Sequence, residues 1–199
     1  MSKTLHFKIK LLDIKPVIWR QFQVTDDYRF DRFHQVIQIV MGWTNSHLHE
    51  FRVKDRHIGI LFNDGFDMAI IEDGTTLYLK DLALQKGETL VYLYDFGDNW
   101  EHALHLEEIS DNPLSNPICT AGESACPPED CGGIWGYSDM LEIIKDPGHQ
   151  RYEDMMEWLS SPFDPTVFSV DKVNKELKKF GAWHRKHPRA KSTPWHKLG

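Results

Sequence analysis

No stretch of this chain approaches the roughly 20 consecutive apolar residues of a membrane-spanning helix, so no membrane partner is expected. The N-terminus, Met1-Ser2-Lys3-Thr4-Leu5-His6-Phe7-Lys8-Ile9-Lys10, alternates polar and apolar residues and lacks the apolar core of an export signal. Cysteine is scarce. Cys119, Cys126 and Cys131 cannot pair off evenly and read as free thiols in a reducing cytoplasm, with metal ligation as the special case. There is no glycine-rich phosphate loop and no His-Arg-Asp catalytic loop, so Asp95-Phe96-Gly97 does not mark a kinase and reads as a turn between strands. Neither an internal repeat nor a linker to a second domain is visible.

Charge is present but uneven. From Lys172 onward nine lysines and arginines face a single acidic residue, Glu176, giving +8 there and −15 in the preceding body, which together make the net −7. An acidic body could meet nucleic acid only through that basic end, where Trp183, Trp195 and three histidines interleave with the bases. The same composition also suits a solubilising, flexible terminus. Residues 1–182 are therefore read as one domain and 183–199 as a basic, flexible tail.

Hydrophobic periodicity supplies the elements. Leu5, Phe7, Ile9 and Leu11 alternate as one face of a strand over 4–14, and 17–24 gives a second strand after the break at Lys15-Pro16. Phe30, Phe33, Val36, Ile37, Val40 and Met41 recur at helical spacing, with Gly42 as the stop. A turn and third strand are expected over 43–53, with His47, His49 and Phe51 on one face, and a fourth strand over 57–62. Loop follows over 63–76, and a short helical turn before Gly87. Strands over 89–96 and 99–109 flank a tight turn at Gly97-Asp98, the second placing Trp100, His102, Leu104 and Leu106 on one face. Residues 110–136 read as a long irregular connection, and helical patterns return at 137–144, 152–159 and from about Asp171. The order ββαββ, short helix, ββ predicts an α+β fold: a β-grasp-like mixed sheet crossed by one helix, with the C-terminal helices packed beside it.

The residues able to carry chemistry concentrate between Tyr94 and Tyr137. Ligand-binding candidates are Trp43, Asp95, Asp98, Trp100, Glu101, Glu129, Asp130 and Tyr137. Pro127-Pro128 stiffens the loop that carries Glu129 and Asp130, while Gly132-Gly133 permits close backbone approach. Metal candidates are His47, His49 and His102 with a nearby carboxylate, and Cys119, Cys126 and Cys131, with zinc as the possible ion. The spacing Cys-x6-Cys-x4-Cys is not the close pair of common zinc modules, so His47, His49, His102 or His149 would have to complete such a site. Packed imidazoles and buried thiols are the alternative for both sets.

Four segments together carry a resemblance: Lys15-Pro16-Val17-Ile18-Trp19-Arg20, Gly42-Trp43-Thr44-Asn45-Ser46-His47-Leu48-His49-Glu50-Phe51, Tyr94-Asp95-Phe96-Gly97-Asp98-Asn99-Trp100-Glu101-His102 and Ala125-Cys126-Pro127-Pro128-Glu129-Asp130-Cys131-Gly132-Gly133. Phe163-Asp164-Pro165 and Phe168 continue it. Over about residues 4–180 the chain resembles the plasmid pRiA4b ORF-3-like proteins. The resemblance implies an α+β fold and a setting near mobile elements, and it supplies no catalytic residue. Some members carry a transposon-resolvase label. The residues here do not support that chemistry, which needs a serine nucleophile among arginines, whereas the motifs hold only Arg20, with Arg52 just beyond.

Three functions follow as expectations. The first is a cytoplasmic, non-enzymatic module that binds an unidentified ligand or protein in a regulatory or mobile-element context, stabilised by a metal in one version. The second is a metal-dependent hydrolase built on His47, His49 and His102. The third is nucleic-acid binding through the basic tail.

Overall fold

The computed structural model describes residues 2–59, 71–112 and 114–187. Strands β1 (Thr4–Leu11) and β2 (Trp19–Thr25) pair antiparallel, with Thr4 opposite Thr25 and Lys10 opposite Trp19. Helix α1 (Phe30–Met41) follows, then β3 (His49–Val53), β4 (Arg56–Gly59) and β5 (Ile71–Asp73). A 3-10 turn at Leu79–Leu82 leads to β6 (Thr89–Tyr94), β7 (Trp100–Ser110) and β8 (Ile118–Glu123). Helices α2 (Gly133–Lys145), α3 (Tyr152–Leu159) and α4 (Val170–Lys186) complete the order.

The eight strands form one mixed sheet in the order β5-β4-β3-β6-β7-β1-β2-β8. Neighbours are antiparallel except β4 and β5. The fold is thus α+β. The alternation in β1 buries Leu5, Phe7, Ile9 and Leu11, and that in β7 buries Trp100, His102, Leu104 and Leu106. Helix α1 lays its apolar stripe on this face. The Phe33 ring lies 5.2 Å from Phe7, 5.4 Å from Phe51 and 6.1 Å from Phe22. Each such fully buried ring contributes about 2–3 kcal/mol of hydrophobic stabilisation. The helix stops where the glycine signal predicts, with Gly42 at φ 105° and its N–H bonded to Gln38 O.

Arg20 closes the same end of α1. Its side chain is buried, and Nε donates to Val40 O (2.9 Å), a carbonyl left open by the end of the helix. Its Nη groups donate to Trp19 O (2.7 Å), Glu123 O (2.7 Å) and Ser124 O (2.8 Å), and the guanidinium stacks 3.8 Å from the Phe168 ring centre. One cation therefore joins β2, α1 and the exit of β8.

Two strands depart from the sequence expectation. β8 lies inside the supposedly irregular 110–136 connection. Apart from Ile118, which is exposed, its residues are small or polar, and only Cys119 and Ser124 nearby are buried, so no apolar alternation announces it; pairing with β2 makes it a strand. β5 falls within the expected 63–76 loop and exists through parallel pairing to β4. The expected continuation of the fourth strand over 60–62 lies outside the described residues, as does 63–70 of that loop. At the C-terminal end, α4 begins on a Ser169 cap and runs through Lys186, past the expected boundary at 182. Nothing in 182–186 breaks a helix, and Phe180 and His184 are buried on its inner side. Residues 188–199 of the expected tail lie outside the described residues. No described helix is long and apolar enough to cross a membrane.

Candidate metal centre

Three segments distant in sequence meet at one end of the sheet: the lead into β3 (43–48), the β6–β7 turn (95–99) and the segment from β8 to α2 (124–133). Trp43 follows the α1 stop directly, and its buried indole donates from Nε1 to Pro127 O (3.0 Å), fastening the proline-stiffened segment over the lead-in. In the β6–β7 turn, Asp95 and Asn99 take φ of 57° and 56°, and Asp130 takes 58°. After glycine, Asn and Asp adopt this left-handed region most readily, which suits them to these positions. The start of α2 is drawn against the turn: Gly132 N–H donates to Asp98 Oδ2 (3.2 Å), and a Cβ on Gly133 would stand 2.6 Å from Asp98 O. Only glycine permits that approach.

Glu129 is then held at the centre. Its Oε1 accepts from Thr44 N–H (2.7 Å), Thr44 Oγ1 (3.0 Å) and Tyr94 Oη (3.0 Å), and Oε2 lies 3.1 Å from the same phenol. Burial and the Glu129 charge push the Tyr94 phenol well above its ordinary range, so it stays a donor. Into this arrangement points His47, whose Nε2 lies 3.2 Å from Asp130 Oδ1, 3.7 Å from Asp95 Oδ2 and 3.8 Å from Glu129 Oε2. That nitrogen is shut off from solvent and has no hydrogen-bond partner among the described residues. His47, Asp95 and Asp130 offer ligand atoms that all lie within 4.8 Å of one another.

The expected three-histidine cluster does not form. His47 precedes β3 rather than lying in it, so the two-residue spacing does not put its ring on the face of His49. His49 is buried and stacks on His34 with ring centres 3.4 Å apart and planes 4° apart. His102 is buried beneath the edge of Trp43, with Nδ1 3.1 Å from Tyr92 O. Burial pushes His102 down to about 4 and His49 well below its ordinary value, so both are neutral core imidazoles at neutral pH. The cysteines do not join the cluster either. All three are free; Cys119 is buried on β8, and burial raises the thiols, Cys119 to about 11, Cys131 to about 12 and Cys126 further. Among the described residues, the ion-sized donor set contains no sulfur.

The remaining candidates divide. Asp95, Glu129 and Asp130 converge on His47, whereas Asp98 accepts from Gly132 N–H at the start of α2. Trp43 and Trp100 are core supports beneath them, and Glu101 faces away from the core on β7. Tyr137 is buried at the wall of a separate cleft of about 690 Å³ beside Lys10, Lys15 and Trp135. His149 is spent within its own turn, with Nδ1 accepting from Arg151 N–H (3.1 Å). Two groups that sequence reasoning missed are Thr44 and Tyr94. Both sit inside conspicuous motifs, but neither is a metal-type residue, and both hydrogen-bond the Glu129 carboxylate.

The sequence model of the plasmid pRiA4b ORF-3-like proteins matches residues 3–172. The chain belongs to that family. It is 35% identical over 190 residues to the uncharacterized protein y4hQ of Sinorhizobium fredii, covering 94% of this chain and 97% of that relative. It also resembles the crystal structure of a protein of unknown function, MM3350 of Methanosarcina mazei, with TM-score 0.78 and 38% identity over 87% of this chain and 98% of the other. The family match takes in the Gly42–Phe51, Tyr94–His102 and Ala125–Gly133 segments that build the centre.

Proposed function

We propose that the chain is a cytoplasmic divalent-cation-dependent binding module whose centre is His47, Asp95 and Asp130, with Glu129 as a further ligand. The observation that carries this reading is the placement of His47 Nε2, sequestered and without a hydrogen bond, among three carboxylates at 3.2, 3.7 and 3.8 Å. Zinc bonds of about 2.1 Å put tetrahedral donors about 3.4 Å apart, close to these separations. Carboxylates so close repel one another, and a divalent ion would neutralise the crowding. An imidazole with oxygen donors suits zinc or another first-row divalent ion. Tyr94 and Thr44 would hold Glu129 in place as outer-shell partners. The plasmid in the family's name supports a regulatory or mobile-element setting.

Metal titration by calorimetry, with elemental analysis of tag-free protein, tests this. Wild type is expected to bind about one zinc or manganese, Asp95→Asn to lose it, and Tyr94→Phe to bind about tenfold more weakly. Cys131→Ser keeps the metal. Binding unchanged in Asp95→Asn sinks the proposal.

A hydrolytic reading is favoured by one further observation: the Asp130 side chain is 71% exposed, so the centre opens to solvent and a water could take one position. Metal-dependent ester or phosphoester hydrolysis abolished by Asp95→Asn would establish it. Metal binding without turnover would leave the binding module alone.

A further inference from the structure

A second cavity, of about 360 Å³, opens where the β2–α1 connection, residues 114–116 and the last turns of α4 meet. It shares no residue with the His47 centre. Two guanidinium groups, Arg32 and Arg185, line it against one carboxylate, Asp27, so its wall is net positive in an acidic body. Arg185 is fixed across the cavity, with Nη1 donating to Ser115 O and to Asn116 Oδ1, each at 2.6 Å. Basic residues in the last turn of α4 also answer the helix dipole, which accounts for positive charge there without any ligand.

That role leaves His184 unexplained. The residue is 5% exposed and lines the cavity, and its Nε2 lies 3.2 Å from Gln35 Oε1. A carbonyl oxygen needs a donor, so Nε2 carries the ring proton and Nδ1 is an acceptor. Among the described residues Nδ1 is buried with no partner. Burial, reinforced by Arg32 and Arg29, pushes His184 down to about 3, so the ring stays neutral. A ring that lines a cationic pocket and keeps an unpartnered acceptor points to a ligand that is an anion and still carries an O–H.

We propose that this cavity binds phosphate, free or as the monoester of a small molecule, in its monoprotonated form. The charged oxygens face Arg32 and Arg185, and the P–OH donates to His184 Nδ1. A phosphate monoester, with a second pKa of about 6, still carries that proton on about half of its molecules at about pH 6, and inorganic phosphate retains at least one P–OH through the neutral range. Sulfate has the same shape but no such proton, and a phosphodiester has no ionisable hydroxyl.

The test is calorimetric titration of the full chain at about pH 6, where the monoester and inorganic phosphate both still carry a P–OH, with inorganic phosphate, sulfate and ribose 5-phosphate at matched ionic strength. Saturable phosphate binding is expected, with sulfate weaker by about tenfold, the value of one hydrogen bond to a buried acceptor. Arg185→Gln, a change on an exposed side chain, weakens both anions by about tenfold or more. His184→Phe removes the preference for phosphate over sulfate, and circular dichroism checks its fold. Ribose 5-phosphate binding more tightly than inorganic phosphate identifies a phosphorylated small molecule, and the reverse order identifies free phosphate. Equal binding of sulfate and phosphate by wild type overturns the proposal. So does indifference to Arg185→Gln, or tighter binding of an oligonucleotide without a terminal phosphate. No saturable phosphate binding at all would mean that a water satisfies Nδ1, and the proposal fails.

Discussion

Replacing Arg20 with methionine removes a buried cation that ties β2, the end of α1 and the exit of β8 together. Four carbonyls, of Trp19, Val40, Glu123 and Ser124, lose their donor, and the stack on Phe168 loses its charge. A hydrogen bond from a charged donor contributes about 1.5–3 kcal/mol, so four give a gross loss of about 6–12 kcal/mol. Against this stands relief of desolvation, since burial pushes the Arg20 guanidinium below its ordinary range, and methionine fills much of the same volume. The net expected loss is about 3–4 kcal/mol, typical of breaking a buried charged network. For a chain of this length that corresponds to a fall of about 10 °C in Tm. Urea denaturation should show a lower midpoint at unchanged slope, because the unfolded surface is the same. Arg20→Lys recovers little, since an ammonium cannot fork to separate carbonyls. A loss below about 1 kcal/mol for Arg20→Met would falsify the assignment of Arg20 as the tie, because a single unsatisfied buried carbonyl costs that much.

Asn174 on α4 covers the free edge of β8, accepting from Cys119 N–H (2.8 Å) and donating to Cys119 O (2.9 Å). Asn174→Ala should destabilise by about 1–3 kcal/mol and increase aggregation on heating, measured by light scattering, because the strand edge is opened. His34 and His102 are held down to about 4 by burial while their unfolded value is 6.5. The unfolded chain therefore binds more protons below 6.5, and stability should fall as pH drops through the window from 6.5 toward 4. The expected loss at about pH 5 is about 2 kcal/mol per histidine, and His102→Gln should flatten its share in urea melts. An unchanged pH slope in that variant would refute the assignment. Gly133→Ala forces a side chain into φ 66° and against Asp98 O, which should cost about 1–3 kcal/mol and weaken metal binding in the same titration.

What the sequence determined by itself was the set of elements whose pattern is strong and local. The alternation of β1 and β7, the stripe of α1 and its glycine stop depend on residues two to four apart, and burial on one face enforces them. The motif content was enough to assign the family, and the Tyr94–Asn99 and Glu129–Asp130 segments hold carboxylates that the fold brings beside His47. Tertiary structure decided the rest. Whether His47 and His49 share a face depends on where pairing with β6 begins, and it begins at His49 opposite Tyr94. One residue therefore turns toward the carboxylates while its neighbour stacks on His34 in the core. β8 owes its existence to β2 and Asn174, not to any apolar alternation of its own. Thr44 and Tyr94 became visible only once Glu129, 85 and 35 residues away, was folded onto them. The donors of the centre come from three segments, and no local rule relates their directions, so only the completed sheet could place them together.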